Sequence, residues 1–230
     1  MKEEVPWYVG PLSPETLASV YFDTGKFKLR ENGFILRTRK IGKRHLQTIK
    51  ADGASSVSGR AEWENEVAGR KPDFTLAKET DLKPLLTRKL KRSLRPVFET
   101  RVKRTVMPLR IGKSDLEVAF DRGQIRTGGL RAPVCEIELE LKGGDRSDLA
   151  GLAERIRRTI PVSYGARSKS ERGYALSAGE HNAPVRAKPI ALAADTAASA
   201  ARPVRTPIAN AFCGCFFDRD PVSAYCRASC

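Results

Sequence analysis

No stretch of this sequence approaches the roughly 18 to 20 consecutive apolar residues that span a bilayer. The opening Met1-Lys2-Glu3-Glu4, followed by Pro6, also lacks the apolar run of a secretory leader. A cytoplasmic location and no membrane partner are therefore expected. Cysteine is scarce for most of the length: Cys135 stands alone until Cys213, Cys215, Cys226 and Cys230 crowd the end, and an odd total of 5 does not suit a disulfide framework. The spacing of the terminal four matches no common zinc finger. Collagen-like and coiled-coil compositions are absent too. What the chain has in abundance is positive charge. Lys and Arg number 42 against 27 Asp and Glu, a net charge of +15 in 230 residues, while 40% hydrophobic residues are enough for a core and exclude low-hydrophobicity disorder. Up to Ala178 there are 36 basic residues against 23 acidic ones, and beyond it 6 against 4, so the basic character belongs to the first part. An anionic partner follows: nucleic acid, a phosphorylated small molecule or an acidic surface.

From Val20 to Leu176 the text runs in short segments of period two, separated by Gly, Asp, Asn or Ser clusters, which is the pattern of antiparallel strands rather than of strand-helix-strand units. The alternation predicts strands at Val20–Asp23, Phe34–Lys40, His45–Lys50, Glu62–Val67, Val97–Thr105, Asp115–Asp121, Gln124–Thr127 and Val134–Lys142, with a short closing strand at Gly173–Leu176. Turns are expected at Ile41–Lys43, Asp121–Gly123 and Lys142–Asp145. Two segments have helical period instead. Leu149, Leu152, Ala153, Ile156 and Ile160 share one face of Ser147–Ile160, and Leu82, Leu85, Leu86, Leu90 and Leu94 recur along Asp81–Leu94. The fold class expected is mainly β with flanking helices, an α+β arrangement around an antiparallel sheet. A first domain is placed at 1–178, and a Pro- and Ala-rich linker with a remnant terminus at 179–230.

The strands carry their charges on one face, and those charges have both signs. Arg37 and Arg39 share a face, as do Glu62, Glu64 and Glu66, and as do Glu117 and Asp121. In Val134–Lys142, Glu136, Glu138, Glu140 and Lys142 oppose Cys135, Ile137, Leu139 and Leu141. One such strand reads as a sheet facing water. A set of them, acidic on some strands and basic on others, suits the lumen of a barrel that holds hard cations through oxygen ligands and phosphates through its bases.

Nine segments in order carry a family resemblance: Val20-Tyr21-Phe22-Asp23-Thr24; Leu29-Arg30 with Gly33; Leu36-Arg37-Thr38-Arg39; Gln47-Thr48-Ile49-Lys50; Glu62-Trp63-Glu64; Phe98-Glu99-Thr100 with Arg104; Leu116-Glu117 with Asp121; Glu136-Ile137-Glu138-Leu139-Glu140; and Lys169-Ser170-Glu171-Arg172-Gly173-Tyr174. Their order and spacing resemble the CYTH domain of triphosphate tunnel metalloenzymes. The resemblance implies an antiparallel β-barrel of about eight strands whose lumen binds a triphosphate and hydrolyses it with Mg²⁺ or Mn²⁺. It further implies a basic clamp of Arg37, Arg39, Lys50, Arg104 and Lys169, joined by Arg172, and acidic metal ligands or water-positioning groups at Glu62, Glu64, Glu117, Asp121, Glu136 and Glu138. Arg101 and Lys103 are further clamp candidates, and Asp23 is read as orienting a clamp residue. The family's first strand, Glu-x-Glu-x-Lys, has no counterpart before Val20, because Lys2-Glu3-Glu4-Val5 has a different spacing. The expectation is thus an incomplete barrel, a metal site short of two carboxylates, weakened activity, and self-association through an open edge.

The leading functional expectation is a metal-dependent triphosphatase acting on inorganic triphosphate or another triphosphate-bearing small molecule; the linker resembles that of the family branch in which a polyphosphate-associated CHAD domain follows. The alternatives are a class IV adenylyl cyclase and a non-catalytic polyphosphate- or nucleic-acid-binding module. Nucleic acid is not the expected partner, since the basic run Arg88, Lys89, Lys91, Arg92 and Arg95 has no interleaved aromatics for base stacking and reads as a solvated helix face.

Overall fold

The computed structural model describes residues 7–51, 61–165, 167–180 and 223–228. Ten strands form one antiparallel sheet: β1 (Trp7–Val9), β2 (Ser13–Asp23), β3 (Phe34–Ile41), β4 (Arg44–Ala51), β5 (Ala61–Val67), β6 (Arg95–Ile111), β7 (Ser114–Thr127), β8 (Leu130–Gly143), β9 (Val162–Tyr164) and β10 (Ser223–Ala228). Their spatial order is β5-β4-β3-β2-β6-β7-β8-β10-β9, with β1 continuing the line of β2 beside β6. The sheet does not close on itself. Four short helices accompany it: α1 (Lys28–Glu31), α2 (Arg88–Ser93), α3 (Arg146–Thr159) and α4 (Lys169–Ser177). No helix among the described residues is long and apolar enough to cross a membrane.

Strand parity builds the core on both sides of the sheet. On one face, Val118, Ile137, Leu139 and Leu141 bury against Leu149, Leu152 and Ala153 of α3. Farther along that face, Val20, Phe22, Leu36 and Ile49 pack with Leu29, Leu82 and Leu90. On the other face, Tyr21, Phe98, Val102, Ile125 and Val134 receive Tyr174 of α4. Each such side chain stabilises the fold by about 1.5 to 3 kcal/mol through the apolar surface it removes from water.

Three readings of the sequence are corrected. The expected closing strand Gly173–Leu176 is part of α4, because Ser168 and Glu171 form a reciprocal capping box that starts a helix. Asp121–Gly123 is not a turn: both halves belong to β7, and Gly123 stands where the carbonyl oxygen of Arg101 passes 2.0 Å from the place a Cβ would take. The expected helix Asp81–Leu94 divides into a 3-10 turn, Lys83–Leu85, and α2, which Thr87 restarts by accepting a hydrogen bond from the Leu90 amide at 3.1 Å. Ser147–Ile160 corresponds to α3, and the turns at Ile41–Lys43 and Lys142–Asp145 are present. Beyond Asn210, where no element was expected, Ser223–Ala228 pairs as β10 between β8 and β9. The rest of the linker, with Cys213, Cys215 and Cys230, lies outside the described residues.

Gly173 tests how tightly α4 is seated. A Cβ there would meet the Phe98 ring at 2.1 Å, whereas one at Gly151 in α3 meets nothing within 4 Å. Gly173→Ala should destabilise the fold by about 1 to 3 kcal/mol, and Gly151→Ala should stabilise it by up to about 1 kcal/mol. Chemical denaturation measures both; equal effects of the same sign would contradict the packing described.

Candidate functional site

Antiparallel register lines up the charged residues of the face that carries α4. Tyr21 on β2 stands opposite Arg37 on β3, and Ser19 opposite Arg39. Arg104 on β6 stands opposite Asp121 on β7, which stands opposite Glu136 on β8. Arg39 is close enough to Glu138 to feel its charge, although four strand spacings would separate β3 from β8 by ~19 Å on a flat sheet. The sheet therefore curls around this face.

On the β6-β7-β8 side, three carboxylates meet three cations. Arg104 donates from its Nε to Asp121 Oδ1 at 2.8 Å and from a terminal nitrogen to Oδ2 at 2.7 Å, and it also bonds Glu138. Lys169 Nζ, at the start of α4, lies 2.6 Å from Asp121 Oδ2 and pairs with both Glu136 and Glu138. Arg172, one turn along, reaches Glu136 at 3.2 Å and donates to the Pro133 carbonyl. The Asp121 side chain is fully buried and that of Glu136 is 4% exposed. Burial alone would raise the Glu138 pKa, but Lys169 and Arg104 bring it down to about 2. The same contacts hold the Lys169 ammonium above its ordinary range despite its burial.

On the β3-β4 side, cations are in excess. Lys50 Nζ pairs with Glu62 at 2.7 Å, and Arg37 lies 3.8 Å from the same carboxylate. Arg37 stands opposite the Tyr21 phenol, which favours its charged form, yet its buried Nε has no hydrogen-bond partner. Arg39 donates from Nε to Ser19 Oγ at 3.2 Å and makes no ion pair among the described residues. Burial, then the neighbouring Arg37 charge, pull the Arg39 pKa down to about 10. Burial pushes the Tyr21 phenol up, but Arg37, Arg39 and Lys169 together bring it below its ordinary value. A pair of half-buried guanidinium groups, one with a buried donor unused, is an arrangement that anions complete.

Helix α4 is fixed from below. Asp23, with no exposed surface, accepts hydrogen bonds from the Leu29 amide at 2.9 Å, the Arg30 amide at 3.0 Å and the Tyr174 hydroxyl at 3.1 Å. Burial and the Asp23 carboxylate hold the Tyr174 phenol protonated well above its usual range. Asp23 thus acts on the helix that presents Lys169 and Arg172 rather than on any clamp side chain directly.

The structure gathers Arg104, Lys169, Arg172, Asp121, Glu136 and Glu138 in one cluster, with Arg37, Arg39, Lys50 and Glu62 beside it. Glu64 is exposed and accepts from Thr48 Oγ1 at 3.1 Å. Glu117, four residues from Asp121 and hence ~13 Å along the strand, pairs instead with Lys142 at 3.7 Å. Arg101 and Lys103 are exposed, with parity opposite to Arg104. Tyr21, Ser19 and Tyr174 are the polar residues of the site that the sequence reading passed over; the pairing of Tyr21 with Arg37 across β2 and β3 is set by register, which no sequence signal gives.

Ligand oxygens of Asp121, Glu136 and Glu138 lie within 4.8 Å of one another. Clustered carboxylate oxygens are the donor set that hard divalent cations take, so these residues fit such an ion.

The family model of the CYTH domain matches residues 7–174. An inorganic triphosphatase from Haemophilus influenzae is 30% identical over 173 residues, which are 70% of this chain and 46% of that protein. The chain spans about half the length of that curated relative. Among solved structures, a Hippeastrum protein named as an adenylyl cyclase and described as having a dominant triphosphatase activity aligns with a TM-score of 0.50 at 16% identity, over 74% of this chain and 84% of its own. At that identity the likeness supports the fold alone.

The Glu138 environment carries a pH signature. Its folded-state pKa lies at about 2 against an ordinary 4.5, so its contribution to stability is complete above about pH 4.5 and is lost as pH falls toward 2. Glu138→Gln should flatten the fall in unfolding free energy across that window. An unchanged slope in denaturation curves collected between those pH values would contradict the pairing with Lys169 and Arg104.

Proposed function

This chain belongs to the CYTH domain family, and on that premise we propose that its charged face binds a triphosphate and hydrolyses it with the help of a divalent cation, inorganic triphosphate being the preferred substrate. The observation that carries this reading is the division of the face into two ends. At one end the half-buried Arg37 and Arg39 lie near each other, Arg37 with its Nε unpartnered and Arg39 bonded to Ser19; at the other lies the carboxylate cluster of Asp121, Glu136 and Glu138. A linear polyanion capped by a metal ion has this polarity. The name of the Haemophilus influenzae relative supports inorganic triphosphate as substrate.

Asp121, Glu136 and Glu138 would hold Mg²⁺ or Mn²⁺. When bound, such an ion supplies charge neutralisation at the phosphoryl oxygens and lowers the pKa of a coordinated water. Arg37 and Arg39 bind the phosphates at the basic end and keep them in line, with Tyr21 and Ser19 orienting the two guanidinium groups through their hydroxyls. Lys50, freed from Glu62 by a competing phosphate, adds a point charge to the same end. Arg104 holds Asp121 and Glu138 in place and faces the charge that develops during transfer. Curling of the sheet and the seat of α4 leave the cluster only slightly exposed, which strengthens each of these contacts.

The test is phosphate release from tripolyphosphate with Mg²⁺, with Mn²⁺ and with a chelator. Metal-dependent release is expected, and Arg39→Ala should lower kcat/KM by about 10²-fold. Glu138→Gln should cost about tenfold or more and shift the metal concentration needed for half-maximal rate. Release that persists unchanged in chelator would refute the metal-assisted reading. Pyrophosphate formed from ATP, with tripolyphosphate untouched, would favour a cyclase instead.

A further inference from the structure

We propose that the Lys169 ammonium is the resident cation of the carboxylate cluster, and that a divalent metal ion enters efficiently only when an arriving polyphosphate receives the displaced ammonium. This rests on the triphosphate reading above and adds to it the order and coupling of loading.

Three observations lead here. First, Lys169 Nζ pairs with Asp121, Glu136 and Glu138, and these are the same three residues whose oxygens could hold a metal. An ammonium has three N–H donors, one for each carboxylate, so it satisfies the cluster as a small cation would. Ion and ammonium cannot share that space.

Second, charge among the described side chains of the cluster is already balanced. Arg104, Lys169 and Arg172 face Asp121, Glu136 and Glu138. A divalent ion added to that set leaves two uncompensated positive charges in a largely buried space, and uncompensated buried charge is costly. A polyphosphate brings the missing negative charge, and the Lys169 ammonium then has a partner outside the cluster.

Third, the helix is anchored by residues other than Lys169. Lys169 is the first residue of α4, where a positive charge opposes the helix dipole, so its position serves the cluster and not the helix. The capping box of Ser168 with Glu171, the seat of Gly173 on Phe98 and the Tyr174 bond to Asp23 anchor the helix. Displacement therefore falls to the flexible four-carbon stem. Tyr21 with Arg37 and Arg39, toward which the stem can swing, form the end proposed for phosphate.

The test measures Mn²⁺ binding to the full chain without phosphate, by the electron paramagnetic resonance of the free ion. Lys169→Met should bind Mn²⁺ about tenfold tighter than the unaltered protein, a coupling of ordinary allosteric size. Equal or weaker binding in a folded K169M would overturn the proposal. Because K169M leaves the carboxylates short of a cation and can compromise folding, a second measurement uses the unaltered protein: acetylation of individual lysines, read by mass spectrometry. Lys169 should be modified far more slowly than the exposed Lys89 in the absence of metal, and Mn²⁺ raised until the resonance shows the site filled without phosphate should increase its rate severalfold while leaving Lys89 unchanged. No rise at Lys169 would likewise overturn it. Metal-dependent phosphate release with Mn²⁺ affinity unaltered in K169M would remove the competition and leave the triphosphatase reading standing, whereas absence of release from the unaltered protein bears on that reading alone.

Discussion

Carboxylates at positions 121 and 136 are buried with the half-buried one at 138 beside them, and leaving even one of the buried pair unpaired costs several kcal/mol. Much of the surrounding architecture answers that cost. Arg104 comes from the neighbouring strand through the register of β6 with β7. Lys169 and Arg172 come from α4, and α4 must lie across the sheet to deliver them. That requirement accounts for the absence of a side chain at residue 173 over the Phe98 ring and for the Asp23 carboxylate that receives the Tyr174 hydroxyl. A position that looks structural, such as Gly173, is thereby tied to the electrostatics of the site.

The same logic is left incomplete at the other end of the face. Arg37 and Arg39 stand next to each other, where burial and the Arg37 charge act against Arg39, while Glu62 pairs with Arg37 and Lys50. An arrangement that is unfavourable in the free protein becomes favourable when an anion enters, so affinity and preorganisation are linked through one local imbalance. Two apolar patches of the opposite face pack, one against α3 and the other against α1 and α2, which fixes the strands whose inner residues make up the site.

How much of this was legible depended on whether chemistry followed the period of the backbone. Strand alternation placed Glu136 and Glu138 opposite Ile137 and Leu139, and the structure has that division, because a period of two has a single solution once one face is apolar. The i, i+3, i+4 pattern of Leu149, Leu152 and Ala153 located α3 for the same reason. What failed was punctuation. Gly123 read as part of a turn and Gly173 as the start of a closing strand, yet both mark close approach of a neighbour, a distinction that needs the partner strand or ring to be known. The Ser168 to Glu171 capping box was visible in the text and outweighs Gly173 in deciding that α4 is helical. Glu117 shared parity with Asp121 but not proximity, since parity assigns a face and not a position along it. Register, which sets Tyr21 against Arg37, is a property of two strands together and had to come from the fold.

The most direct measurement is anomalous diffraction from crystals of this protein grown with Mn²⁺ and tripolyphosphate. The expected result is a manganese peak among Asp121, Glu136 and Glu138, with the phosphate chain reaching Arg37 and Arg39. Phosphate density confined to the cleft rimmed by Lys26, Lys28 and Lys89, which lies between α1 and α2, with no manganese at the three carboxylates, would contradict it.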